Sequence, residues 1–106
     1  MIVVTSETIA KKKIVRTIGL VRGNTVRARH IGKDILAGLR NIVGGEVHEY
    51  AKLIAESREQ ALDRMVGEAA SLGANAIIAT RYTTSVMMGG AAELLAIGTA
   101  VIVEDA

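Results

Sequence analysis

Apolar positions along the chain change period several times, and each change predicts an element. Ile2 to Val4 is a short β-branched run, read as a strand. From Lys13 to Arg29, Ile14, Ile18, Leu20 and Val26 share one parity, while Val15, Val21 and Thr25 share the other. That predicts a longer strand with both faces partly apolar, in which Gly19 and Gly23 mark a bulge or a close backbone approach. Ile31, Ile35, Leu36, Leu39 and Ile42 then recur at helical spacing, and Gly44-Gly45 ends that helix. A second helix is predicted from Val47 to Leu72, with Ala51, Ile54, Ala55, Arg58, Leu62, Met65, Val66 and Ala69 facing inward and Gly73 as its stop. Arg58 in that stripe is expected to lay its stem on the core and pair its guanidinium at an edge.

Two further strands follow, Ala76 to Thr83 and Ala91 to Val103, joined across Met88-Gly89-Gly90. The order is strand-strand-helix-helix-strand-strand. It predicts a single α+β domain over residues 1–106, with an antiparallel sheet packed against two helices. In the last strand Ala92, Leu94, Ala96, Gly98, Ala100 and Ile102 alternate with Ala91, Glu93, Leu95, Ile97, Thr99, Val101 and Val103, so neither face is polar. Such a strand needs cover on both sides, from its own helices on one and from another subunit on the other.

Composition strengthens the case for association. Half of the 106 residues are hydrophobic, yet Tyr50 and Tyr82 are the only aromatics. A small aliphatic core without large aromatic side chains is marginal alone. A compact domain of this length has a radius of gyration of roughly 13 Å. Charge is divided unevenly: residues 1–45 hold nine basic and two acidic groups (+7), and residues 46–106 hold four basic and nine acidic (−5). The two halves can pair within one chain or between subunits.

With no cysteine, disulfides, thiolate metal sites and a cysteine nucleophile are excluded. Val86 to Val103 carries a single charge, Glu93, but its glycines and missing basic flanks favour a buried strand over a membrane span. No secretory signal is visible at the N-terminus, and a cytoplasmic location is the expectation.

The stretch Arg27 to Tyr50, RARHIGKDILAGLRNIVGGEVHEY, is the most distinctive wording in the chain. Asp34, Gly38, Leu39, Arg40, Gly44, Gly45 and Tyr50 within it resemble the central motif of the YbjQ-like family. Ile2–Glu7, Val21–Val26, Arg58, Gly73-Ala74-Asn75-Ala76, Arg81 and Gly98–Val101 resemble its other landmarks. These are small bacterial and archaeal proteins described as "putative heavy-metal-binding". One departure is Ala10-Lys11-Lys12-Lys13, where a Pro-Gly turn is more usual. The resemblance implies a dodecin-subunit-like fold and a cyclic homo-oligomer, a pentamer, closed with the help of extra short strands.

Catalytic signatures are missing. There is no G-x-S-x-G elbow, no Walker loop and no H-E-x-x-H, because His48-Glu49 is followed by Tyr50, Ala51 and Lys52. No nucleophile and base are paired by spacing, so a non-enzyme is expected. Metal ligands are the remaining chemistry. Glu46, His48 and Glu49 surround the start of the second helix, where the two carboxylates also suit its positive end. His30 and Asp34 lie four apart among Arg27, Arg29 and Lys33. Imidazole and carboxylate suit Zn²⁺, Ni²⁺ or Cu²⁺ better than sulfur-seeking metals; the nearest sulfur is the Met87-Met88 thioether pair, which also reads as interface filler. Neither group closes a four-ligand shell by itself. Nucleic acid is a poor fit despite the basic N-terminal half. Arg16 and Arg22 point opposite to Arg27 and Arg29 on a regular strand, and aromatic platforms are nearly absent. The reading is a homo-oligomeric protein binding a divalent metal. The alternative is a small-molecule-binding or structural shell, without the aromatics that stack on a flavin.

Overall fold

The protein is described by a computed structural model covering residues 1–27, 46–86 and 92–106. Chain order is β1 (Ile2–Val3), β2 (Lys12–Arg27), α1 (Glu46–Ser71), β3 (Ala76–Val86) and β4 (Ala92–Asp105). The four strands form one sheet in the order β1-β3-β4-β2. The expected 31–42 helix, Gly44-Gly45 and the Met87–Gly90 turn lie outside the described residues.

The sheet is mixed, which corrects the expectation of an antiparallel one. β4 runs antiparallel to both β2 and β3, but β1 joins β3 in parallel. Parallel neighbours need a long crossover, and everything from β2 through α1 supplies it. The register continues past β1, since Val4 N–H donates to the Ile77 carbonyl at 2.9 Å and Thr80 N–H donates to the Val4 carbonyl at 3.0 Å.

β2 and β4 give the molecule its long dimension. Sixteen residues at about 3.3 Å each span roughly 53 Å, and the largest extent is 54 Å. The radius of gyration is 17.0 Å, well above the value of about 13 Å for a compact domain of this length. A sheet this long and covered by one described helix leaves much of itself uncovered.

Both glycines singled out in β2 have the expected roles. Register shifts fall between Ile14 and Arg16 and between Thr17 and Gly19, and Gly19 has a φ of 142°. Gly23 is a contact point. A Cβ there would lie 2.3 Å from both the Ala61 carbonyl oxygen and the Met65 amide nitrogen. The backbone of α1 therefore rests directly on β2.

This contact also fixes which side of α1 faces inward. Ser57, Ala61, Met65 and Ala69 are fully buried, an i, i+4, i+8, i+12 line. Ile54, Leu62 and Val66 are half-buried beside it, but Ala55 and Arg58 are exposed. The inward stripe is thus rotated from the predicted one, and Arg58 lies outside it. Small side chains at Ala61, against Gly23, and at Ser57, whose carbonyl accepts the Thr25 hydroxyl at 3.2 Å, allow a closer helix than bulky ones would. α1 ends as predicted: Gly73 has a φ of 86°, and Ala74 N–H returns to the Ala69 carbonyl at 3.0 Å.

The core under α1 joins Val21, Ala61, Met65, Ala69, Ile77, Ala96 and Ala100. A second cluster, Ala76, Val101 and Val103 with Ile2, Ile9 and Ile78, closes the β1 end. Asn75 fastens that end. Its side-chain amide donates to the Val103 carbonyl at 2.9 Å, and its side-chain oxygen accepts the Val103 N–H at 2.8 Å. It thereby substitutes for a strand residue where β3 has not yet begun.

Candidate functional site

The predicted metal ligands are only partly placed. His30 and Asp34 lie outside the described residues. Glu46, His48 and Glu49 occupy the first turn of α1. At 100° per residue, helix positions 46 and 49 share one flank, while 48 lies about 160° around the axis from 46. Among the described residues no group of three or more His, Cys, Asp or Glu could hold a metal.

The feature that dominates the described residues is the sheet face turned away from α1. Register defines it in rows, because directly opposed antiparallel residues share a face. Val26, Glu93 and Ser85 form one row, then Asn24, Leu95 and Thr83, then Arg22, Ile97 and Arg81, then Leu20, Thr99 and Ile78. Leu95 and Ile97 are half-buried. Leu20, in the middle of β2, is 61% exposed, and Val26, near the end of the strand, is 53% exposed. The opposite parity of β4 (Leu94, Ala96, Gly98 and Ala100) is buried. Among the described residues the reverse parity of β4 is buried at its far end, at Val101 and Val103 beside Ile2, Ile9 and Ile78, and only partly covered from Glu93 to Thr99.

Polar groups on this face are largely engaged. Asn24 Nδ2 donates to Glu93 Oε2 at 3.1 Å. Arg81 donates through Nη1 to the Thr5 and Thr80 carbonyls, each at 2.8 Å, which ties its guanidinium to the β1 edge. The aliphatic side chains between them face outward together with Arg22, which is exposed.

β3 carries one irregularity. Its register against β4 shifts between Ile78 and Arg81, and Ala79 sits at a φ of 52°. Ala79 N–H donates to the Ser6 carbonyl at 2.9 Å, so the segment after β1 holds the bulge in place. Thr80 is 4% exposed, and its hydroxyl has no hydrogen-bond partner among the described residues. Gly98 lies beside it, where a Cβ would come within 3.3 Å of Thr80 Oγ1 and 2.6 Å of Ile77 Cγ2. Gly98 is glycine for lack of room. Sequence reading passed over Thr80, since a lone threonine in a β-rich run carries no signal of its burial.

The charge asymmetry is partly resolved within the chain. Lys12 pairs with Asp105 at 2.6 Å and Lys13 with Glu104 at 3.5 Å, across the β2–β4 ladder. The Lys12 ammonium, by hydrogen bond and by charge, holds the Asp105 carboxyl below its usual range. Among the described residues no helix is long and apolar enough to cross a membrane, and most of the Val86–Val103 run forms β4.

Comparison with known proteins agrees with this architecture and with the motifs. A UPF0145 protein of Dehalococcoides mccartyi is 57% identical over 104 residues, covering 98% of this chain and 100% of the relative. One from Methanosarcina acetivorans is 54% identical over 101 residues, covering 95% of each. One from Clostridium perfringens is 54% identical over the full length of both. A crystal structure of a Pediococcus pentosaceus protein of unknown function, from the DUF74 family, matches with a TM-score of 0.64 and 16% identity over 98% of each chain, a likeness of fold. The YbjQ-like profile, described as "Putative heavy-metal-binding", matches residues 1–104, and the chain belongs to that family.

Proposed function

We propose that this chain is a non-catalytic binding protein that works as a closed homo-oligomer and takes a divalent transition metal. The observation that carries the assembly is the uncovered sheet face. Leu20, Val26, Leu95 and Ile97 present aliphatic surface that a second copy would bury, at about 25 cal/mol per Å² removed from water. The elongated shape acts in the same direction, because it leaves a large area per residue to cover. A cyclic pentamer is the form suggested by the family resemblance, and it would complete the dodecin-like layering, with two helices per subunit, read from the sequence.

Metal binding draws on the family description and on the residue types at the start of α1. His48 with Glu46 or Glu49 is the first choice, and His30 with Asp34 the second. Helical spacing spreads 46, 48 and 49 around the axis, so ligands converging from more than one subunit fit better than a site within one chain. A second reading is a small-molecule-binding or structural shell, which the same uncovered aliphatic face also suits.

Native mass spectrometry of protein purified without a metal-affinity tag tests both parts. The expected spectrum is a single closed oligomer with retained divalent ions. A monomer at micromolar concentration rejects the assembly. Calorimetry with Zn²⁺, Ni²⁺ and Cu²⁺ then locates the site: His30→Ala/His48→Ala should abolish binding. Binding should also weaken as pH falls through the ordinary histidine range near about 6.5, since a protonated imidazole cannot ligate. An oligomer that binds none of the three ions leaves the shell reading.

A further inference from the structure

β2 ends the sheet, and its outer edge is 16 residues long. Unpaired amides and carbonyls along such an edge form a template for another chain's strand. Among the described residues, side chains occupy two of those groups. Glu68 Oε2 accepts the Arg22 backbone N–H at 3.2 Å, and Arg64 Nη1 donates to the Asn24 carbonyl. Both side chains come from α1, one turn apart, on either side of Met65. They reach the edge because Gly23, between the two capped residues, lets the α1 backbone touch β2. The N-terminal half of the same edge is broken differently, by the register shifts at Ile14/Arg16 and Thr17/Gly19. Bulges of this kind twist an edge away from a straight partner.

We propose that Arg64 and Glu68 guard the edge of β2: they fill its hydrogen-bonding sites at Arg22 and Asn24 and so prevent a second copy from adding a strand there. The bulges protect the first half of the strand, and the helix side chains protect the second. Packing of α1 thus has two products, a covered face and a closed edge. Self-association is left to surfaces other than the edge of β2. This inference stands whether or not the chain binds a metal or forms a ring.

The test is the Arg64→Ala/Glu68→Ala double variant of the full chain, compared with the parent by light scattering across a concentration series. Circular dichroism reports retention of the fold. The guard predicts species larger than the parent's, growing with concentration and showing the infrared band of intermolecular β-structure. Adding Arg22→Pro, which removes the edge N–H, should restore the parent's size distribution. Should the double variant fail to fold, Glu68→Ala alone carries the test by hydrogen exchange. The Arg22 amide should exchange about tenfold faster, the scale of one lost hydrogen bond, while Glu68→Gln, which keeps an acceptor, should stay near the parent. A folded double variant with the parent's size distribution overturns the proposal. So does an enlarged species that persists with Arg22→Pro, or an Arg22 amide indifferent to Glu68→Ala.

Discussion

The two faces of the sheet both carry aliphatic residues, and those residues have different fates. Beneath α1, Val21, Gly23, Thr25, Leu94, Ala96 and Gly98 are buried. On the reverse, Leu20, Val26, Leu95 and Ile97 are as aliphatic but half-buried or exposed. Charged and polar residues such as Arg22, Asn24, Arg81 and Glu93 stand among the aliphatics of the reverse face, and side-chain size separates the aliphatics of the two faces. Glycine and alanine on the α1 side let a helix backbone come into contact, whereas the reverse side has larger side chains. Close approach suits packing within a chain, and protruding aliphatics suit contact with a second body.

The largest expected effect comes from refilling the close contact. Gly23→Val should cost about 3 kcal/mol or more, since its side chain meets backbone atoms of Ala61 and Met65 that cannot rotate away. Chemical denaturation measures it, and a variant as stable as the parent would mean that α1 does not rest on β2 at this point.

A charge on the opposite face should separate folding from assembly. Leu95→Asp or Ile97→Asp is expected to weaken association by about 3 kcal/mol through burial of an unpaired ion, with little change in secondary structure. Light scattering beside circular dichroism reads both. Loss of the fold together with the oligomer would show that the reverse face is part of the chain's own core.

Away from both faces, Lys11 adopts a φ of 62° in the turn leading into β2. This is the turn where the family more usually has Pro-Gly, and a glycine would relieve the left-handed strain. Lys11→Gly should stabilise by about 1 kcal/mol, visible as a raised denaturation midpoint.

The smallest effect belongs to the ion pair at the far end of the ladder. Lys12 lowers the Asp105 pKa from 3.8 in the folded chain. The folded state therefore binds this proton less readily than the unfolded one. The contribution is present above the unfolded value and is lost as pH falls through the lower folded one. Asp105→Asn should flatten stability against pH in that acidic window only, and high salt should do the same to the parent.

How far the sequence could be read follows from how local each signal is. Strands at Lys12–Arg27 and Ala92–Asp105, and the long helix up to Gly73, are legible because period and glycine punctuation act over a few residues. The inward stripe of α1 was less legible. Arg58 fits the spacing, but Ser57 is the buried residue, because Gly23 on a distant strand sets how near the helix comes. The parallel placement of β1 was hidden for a similar reason: two residues carry no directional pattern, and the outer edge of β3 determines where they bind. For the candidate site, the residue types at Glu46, His48 and Glu49 and their place at a helix start were legible. Convergence on an ion is a property of three-dimensional arrangement that spacing does not specify.

By itself, the sequence determined the α+β class, the bulge and contact glycines of β2, the helix stop and the doubly apolar last strand, all set by steric and hydrophobic rules that operate along the chain. Only the tertiary structure decided that β1 pairs in parallel, that Ser57 rather than Arg58 faces the sheet, and that Glu68 and Arg64 cap the Arg22 and Asn24 edge. Each of those joins residues more than 30 positions apart. Their approach depends on backbone-to-backbone distance across the Gly23 contact or on which strand edge is vacant, and neither quantity exists until the layers have packed.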